Sequence, residues 1–494
     1  MPRFTHLHVS SSFSPRYGAQ RPEQLVAQIA HNNAERAHDS DPSPALALTD
    51  QDGLYGAIQH IRACIAEGVS PIVGVDIHIA SPSGNFPVVI VAHGCAGGAG
   101  WAALCRTVSA AHSPRASGPG ASSVRHSPGV RPSVPASLLA NFLKTSEGPV
   151  ATVLLGPDSN VGQAVLHNRH DLARQYLAEW NTLLPGGVAV EIVCHFAEIG
   201  ATASVEHAAR MLELAEEGHV PAILTNAARS ARRDATATND PFDSADQLCA
   251  FVSPSGRHNR EAWLKPQQTM ELVARFIVNA STLSTLALPR ILSATDQLAE
   301  RCILDPVADL GWGRPRLPEL SALGFSGTAQ RILTERCQAA ITERYPRLDG
   351  RNSERVHQRL HTELSAINSL EFDAYFLTVA DVSQLIRNRG IRNQASGSGT
   401  SSIVNYLLRV SAVDPLEHGL FHECFLGSSP STLPSLGIDV ESTRQAEIHT
   451  AIFERYGQNR AALLPPHETS PAHGTTYEGD DTYGVVLSNT TWCL

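Results

Sequence analysis

Two sets of side chains in this sequence have the types and spacing to handle phosphates and metal ions. The first lies between positions 389 and 442, where Gly397-Ser398-Gly399 forms a glycine-serine turn ahead of an apolar run. Backbone N–H groups of a turn that opens a helix can hold a phosphate. Further along, Asp439 and Glu441 occupy alternate positions of a short apolar strand, hence one face, where carboxylates can hold Mg²⁺. Ordinary turns and strand surfaces use the same residue types, so spacing alone leaves both readings open. The second set is His8, Asp50 and Asp76, each near the C-terminal end of an expected strand. A metal-dependent site is built at such ends, although caps and turn formers also place polar residues there.

The elements that must position these residues follow from pattern. Phe4-Thr5-His6-Leu7-His8-Val9 reads as an extended strand, followed by a helix over 22–31 and a strand over 45–50. A helix over 53–67, strands over 71–78 and 88–92, and a helix ending at His112 come next. Strands and helices continue to alternate through 150–155, 166–183, 188–193, 205–217 and 222–224, which predicts an α/β layer or barrel. Positions 113–136 are rich in Ser, Pro, Gly and Arg and read as a mobile surface loop. From 251 to 325 the pattern turns helical and reads as a linker; helices over 328–345, 352–368 and 402–408 follow.

Composition narrows the class. Hydrophobic residues make up 42% and charged residues 17%, which is ordinary for a globular protein though low in charge. A net charge of −10 gives no basic footprint for nucleic acid, and Arg387, Arg389 and Arg392 are the one local basic group near the glycine-serine turn. Nine cysteines without a Cys-x-x-Cys pair argue against a zinc site or a disulfide framework and for a reducing cytoplasm. No apolar run approaches the ~20 residues that span a bilayer, so no membrane partner is expected.

The stretch from 391 to 408, with Ser398-Gly399 and Ile403-Val404-Asn405-Tyr406-Leu407-Leu408, resembles the palm of bacterial C-family DNA polymerases. These are the DNA polymerase III alpha subunits, and the likeness is greatest to their error-prone, damage-associated branch. Glu371-Phe372-Asp373-Ala374-Tyr375-Phe376-Leu377, Asp439-Val440-Glu441-Ser442 and Ile452-Phe453-Glu454-Arg455-Tyr456-Gly457 extend the resemblance. Upstream, His6-Leu7-His8, Ala47-Leu48-Thr49-Asp50, Gly53-Leu54-Tyr55-Gly56-Ala57 and Pro71-Ile72-Val73-Gly74-Val75-Asp76 resemble the PHP (polymerase and histidinol phosphatase) domain that precedes that palm. The resemblance implies a PHP-type (β/α) barrel-like domain over 1–250, a helical linker over 251–325 and a partial polymerase-beta-like nucleotidyltransferase palm over 326–457. A tail without resemblance closes the chain over 458–494, and a frameshift or premature stop is the expectation there.

The resemblance further implies DNA, deoxynucleotides and repair-polymerase proteins as partners and Mg²⁺ as cofactor. Gly397 and Ser398 fall at its nucleotide-binding turn, Asp439 at its third palm aspartate, and His8, Asp50 and Asp76 at its PHP metal site. Departures are equally specific. The first two palm aspartates fall on Ser435 and Gly437, an arginine before the turn falls on Ser396, and another falls on Cys424. In the PHP motifs, Ser10 and Gln51 stand for histidines, Asp76 for a glutamate, and Asn226-Ala227-Ala228-Arg229 for an Asn-Asp-x-His run. Two-metal phosphoryl transfer needs bridging carboxylates. The expectation is a truncated relative of the error-prone polymerase without polymerase activity. The alternatives are a non-catalytic scaffold of a repair complex and a PHP metal-dependent phosphoesterase.

Overall fold

The computed structural model describes residues 4–15, 17–34, 43–81, 84–94, 97–112, 131–233, 260–312, 319–347, 349–426, 436–457, 461–464 and 484–487. It is mixed α/β and divides into two compact units, with the boundary between Leu310 and Gly311. Among the described residues no helix is long and apolar enough to cross a membrane.

The first unit is built on one sheet. Its strands lie in the order Ala45–Leu48, Ser70–Ala80, Phe86–Ala92, Ala151–Leu155, Val188–Val193 and Ala222–Thr225. Neighbours pair in parallel except Phe86–Ala92, which is antiparallel to both of its partners. The strands Ala45–Leu48, Ala151–Leu155 and Val188–Val193 are buried at every position. Their near-continuous apolar runs are what a strand covered on both faces requires.

The N-terminal segment joins the two edges of this sheet. His6 pairs with Leu46 at one edge and Val9 pairs with Ala228 just beyond the other. Ala47 N donates to His6 O at 3.0 Å, and Ala228 N donates to His8 O at 3.0 Å. The expected strand at Phe4–Val9 therefore closes a ring, and His8 is carried on the closing segment.

Two features differ from the sequence reading. Ser133–Pro135, inside the stretch read as a mobile loop, forms a short strand parallel to Ser70–Ala80. A Ser-Val-Pro tripeptide lacks alternation, but Val134 is fully buried and holds it against the sheet. The rest of that stretch, 113–130, lies outside the described residues. The helices Gln267–Ala280 and Ala287–Cys302, read as a linker, pack onto the first unit. Leu298, Ala299 and Cys302 join a buried cluster with Leu7, Ile72, Val91, Leu154 and Ile223. Leu224 N also donates to Thr295 Oγ1 at 2.9 Å. Helical period alone cannot tell a linker from a covering layer.

The second unit gathers the helices Ala329–Arg344, Gly350–Ser369 and Asp373–Asn388 around Leu333, Ile367, Phe372, Phe376, Ile403 and Val404. The strands Asn393–Ser396 and Gly437–Val440 pair antiparallel beside them. After the glycine-serine turn comes a 3-10 segment, Gly397–Ser401, and then the short helix Ile403–Leu407. Ser402 caps that helix by accepting from Asn405 N at 3.1 Å.

Candidate functional site

Strand geometry gathers polar side chains in a cleft of the first unit of about 900 Å³. His8 comes from the closing segment, Asp76 from Ser70–Ala80 and Glu191 from Val188–Val193. Glu191 Oε1 accepts from His8 Nδ1 at 2.7 Å and from Thr225 Oγ1 at 2.6 Å. Its other oxygen occupies the space a side chain would need at Gly156, where a Cβ would meet Oε2 at 2.3 Å. Burial alone would lower the His8 pKa, but the Glu191 carboxylate outweighs it and the imidazolium is favoured. Asp76 is pushed up to about 6, chiefly by burial, against the opposing pull of His8.

Of the three expected metal residues, His8 and Asp76 line the cleft and Asp50 does not. Asp50 is turned away into the 11–14 loop. It accepts from Ser11 N at 2.7 Å, from Ser11 Oγ at 2.8 Å and from Ser14 Oγ at 2.7 Å. Buried at 2% exposure and saturated by these donors, it holds a loop. Asp76 Oδ2 accepts from Gln51 Nε2 at 3.3 Å, while Asp76 Oδ1 and His8 Nε2 are buried without a hydrogen-bond partner. No group of three or more His, Cys, Asp or Glu side chains among the described residues is arranged to hold a metal ion. With Asp50 committed to Ser11 and Ser14, the three-residue set expected from the sequence is not assembled in the cleft.

Arg229 lines the same cleft. Its guanidinium lies 3.7 Å from the centre of the Tyr17 ring. Asn226, before it, is fully buried and structural: its amide donates to Glu261 O and Trp263 O, and Lys265 Nζ donates to its side-chain oxygen at 3.1 Å. His195 follows its strand with Nε2 2.8 Å from Asn226 O, and burial lowers its pKa to about 4.

In the second unit the antiparallel register sets Ser396 opposite Gly437 and Gln394 opposite Asp439. The glycine-serine turn and Asp439, 40 residues apart in sequence, are thereby neighbours, and Ser396 Oγ donates to Asp439 Oδ1 at 3.2 Å. Gly397 and Ser398 are exposed. Glu441 departs from the expected pair: it lies beyond the strand end and binds Arg392, whose N and Nε approach Glu441 Oε1 at 3.2 and 3.0 Å. The backbone donors at the start of the following helix are also engaged. Glu363, fully buried, accepts from Ser402 Oγ, from Ile403 N at 3.0 Å and from Val404 N at 3.4 Å. Ser435 lies outside the described residues, as do the side chain of Cys424 and all of the tail except 461–464 and 484–487.

Residues 6–195 match the PHP domain family, and residues 331–475 match the family described as the bacterial DNA polymerase III alpha NTPase domain. The chain carries a PHP domain followed by a DNA polymerase III alpha domain. The error-prone DNA polymerase of Symbiobacterium thermophilum is 30% identical over 95% of this chain and 40% of its own length. DNA polymerase III subunit alpha of Bacillus subtilis is 25% identical over 98% of this chain and 39% of its own. The chain thus spans about two-fifths of the length of these curated relatives. A solved amidohydrolase from Chromobacterium violaceum aligns with 45% of this chain and 86% of its own at 16% identity, with a TM-score of 0.29.

Within the PHP domain, sequence reasoning missed Glu191, the carboxylate that holds His8. One signal was available: Glu191 is the charged residue in an otherwise apolar strand, Val-Ala-Val-Glu-Ile-Val. Within the polymerase III alpha domain it missed Glu363, which lies on a helix rich in charge and carries no local mark of its burial.

Proposed function

We propose that this chain derives from the template-directed DNA synthesis machinery of its relatives and does not itself join nucleotides. The observation that carries this reading is the face of the Gly437–Val440 strand. Asp439 stands there beside Gly437, with Ser396 Oγ placed where a side chain at 437 would go, 2.5 Å from its Cβ. Glu441, the next acid, is committed to Arg392. One carboxylate can touch two Mg²⁺ ions but does not supply the ligands that hold both in place, so the residues present do not fit the two-metal arrangement, and no nucleotidyl-transfer step follows from them. DNA, deoxynucleotides and repair-polymerase proteins remain the partners this ancestry proposes.

A non-catalytic binding role within a repair complex is the second reading, and it is favoured over phosphoester hydrolysis by the PHP cleft. There Asp50 is saturated by serines and Arg229 is a fixed cation among the remaining polar groups. Primer extension with Mg²⁺ and with Mn²⁺ tests the first reading, run beside a variant carrying Ser435→Asp and Gly437→Asp. The expected result is no extension by the natural chain. Extension that disappears in Asp439→Asn would overturn the proposal.

A further inference from the structure

The PHP cleft holds several acidic groups and, among the described residues, no three His, Cys, Asp or Glu side chains gathered to hold a metal ion, which raises the question of what balances their charge. Glu191 is paired with His8 at 2.7 Å. Asp76 and Asp158 line the same cleft, and Asp76 Oδ1 is buried without a hydrogen bond. Burial alone disfavours their charged forms. Arg229 enters this group from the segment that follows the last strand of the sheet. It is fixed there in two ways: its guanidinium stacks on Tyr17 at 3.7 Å, and its backbone is tied to the segment at 260–265 through Arg229 N donating to Ala262 O at 2.9 Å. Its Nε is buried in the cleft wall and makes no hydrogen bond to protein. Arginine stays charged at any relevant pH, and its planar head is suited to a half-buried, stacked position in a way lysine is not.

We propose that Arg229 is a built-in counter-ion of the PHP cleft, occupying electrostatically the place of a metal ion and making the fold of this domain independent of metal. The guanidinium favours the Asp158 carboxylate and opposes protonation of His8 and His195, the influence a bound cation would exert. The Tyr17 ring orients it, so the charge is delivered at a set point of the cleft. Set against Asp76 and Asp158, this one fixed charge lowers the electrostatic demand of the cleft for a divalent ion, beside the saturation of Asp50 by Ser11 and Ser14.

The test is a charge-balance cycle on the full chain, read by thermal unfolding and by Mn²⁺ titration calorimetry. The natural chain should melt at one temperature in EDTA and in Mn²⁺ and give no binding heat. Arg229→Met, which keeps an apolar stem over Tyr17, should melt several degrees lower. Adding Asp158→Asn in that background should recover a part of the loss, although Asp158→Asn alone lowers the melting temperature. If Arg229→Met fails to fold, the pair with Asp158→Asn decides: recovery of a folded protein supports the proposal, and failure of both overturns it. Binding of about one Mn²⁺ by the natural chain, with a rise in melting temperature that vanishes in Asp76→Asn, would also overturn it. So would strict additivity of the two substitutions.

Discussion

Restoring an acid at position 437 is a measurable test of how far the polymerase face has been remodelled. A Cβ at Gly437 would lie 2.5 Å from Ser396 Oγ, inside the 3.0 Å that real contacts respect. Gly437→Asp must therefore swing Ser396 to another rotamer and break its 3.2 Å hydrogen bond to Asp439. That loss costs about 0.5–1.5 kcal/mol, the usual net worth of such a bond. A second contribution is repulsion between the introduced carboxylate and Asp439, two residues apart on one exposed face. At about 7 Å in water it amounts to about 0.6 kcal/mol. The expected total is about 1–2 kcal/mol, of which the larger part depends on Ser396. Urea unfolding of Ser396→Ala, Gly437→Asp and the double variant forms a cycle that isolates this part. Gly437→Asp should be less damaging in the Ser396→Ala background by about 1 kcal/mol. Additivity within about 0.3 kcal/mol would show that Ser396 does not occupy that place, and the argument from this face would fail.

Two further outcomes are expected. Glu363→Ala should destabilise the polymerase III alpha domain by about 3 kcal/mol, because it strands buried donors at Ile403 and Val404 and removes a charged acceptor; Glu343→Ala, on the exposed pair with Arg409, serves as the near-neutral control in the same chemical unfolding assay. The PHP domain should lose stability in acid through His60, whose burial lowers its pKa from 6.5 to about 4 while Nε2 stays 3.1 Å from Leu46 O. The unfolded chain then binds the extra proton between those two values, so stability is full above pH 6.5 and falls toward pH 4, by about 1.4 kcal/mol per pH unit for this one group. His6, His93 and His195 are lowered in the same way, so His60→Gln should reduce the slope of the urea-midpoint profile over that interval by one proton's share, and an unchanged slope would refute the assignment.

Much of the architecture could be read from the sequence because it rests on local pattern. The strand Val188–Val193 and the helix Val205–Glu217 emerge where their apolar period places them, and the structure adds Ser204 as the cap of that helix. The proximity of the glycine-serine turn to Asp439 was readable only through the resemblance, since the 40 intervening residues leave register undetermined. What escaped is the partnership of buried acids. Asp50 looks like a ligand in sequence because the two serines that saturate it lie 36 and 39 residues away, on another element. Glu363 looks like a surface charge for the same reason, since its burial is a property of helix packing that no local window contains, whereas the apolar strand around Glu191 did carry a local mark.

The ring closed by residues 6–10 has a kinetic meaning. Residues 6–10 find their second edge only when Ala228 has been made, more than two hundred positions later. Until then the nascent PHP domain is an open sheet with two unsatisfied borders, and its closure is a long-range event with a large loop entropy to overcome. That closing strip is therefore where the folding yield of the domain is exposed to interference.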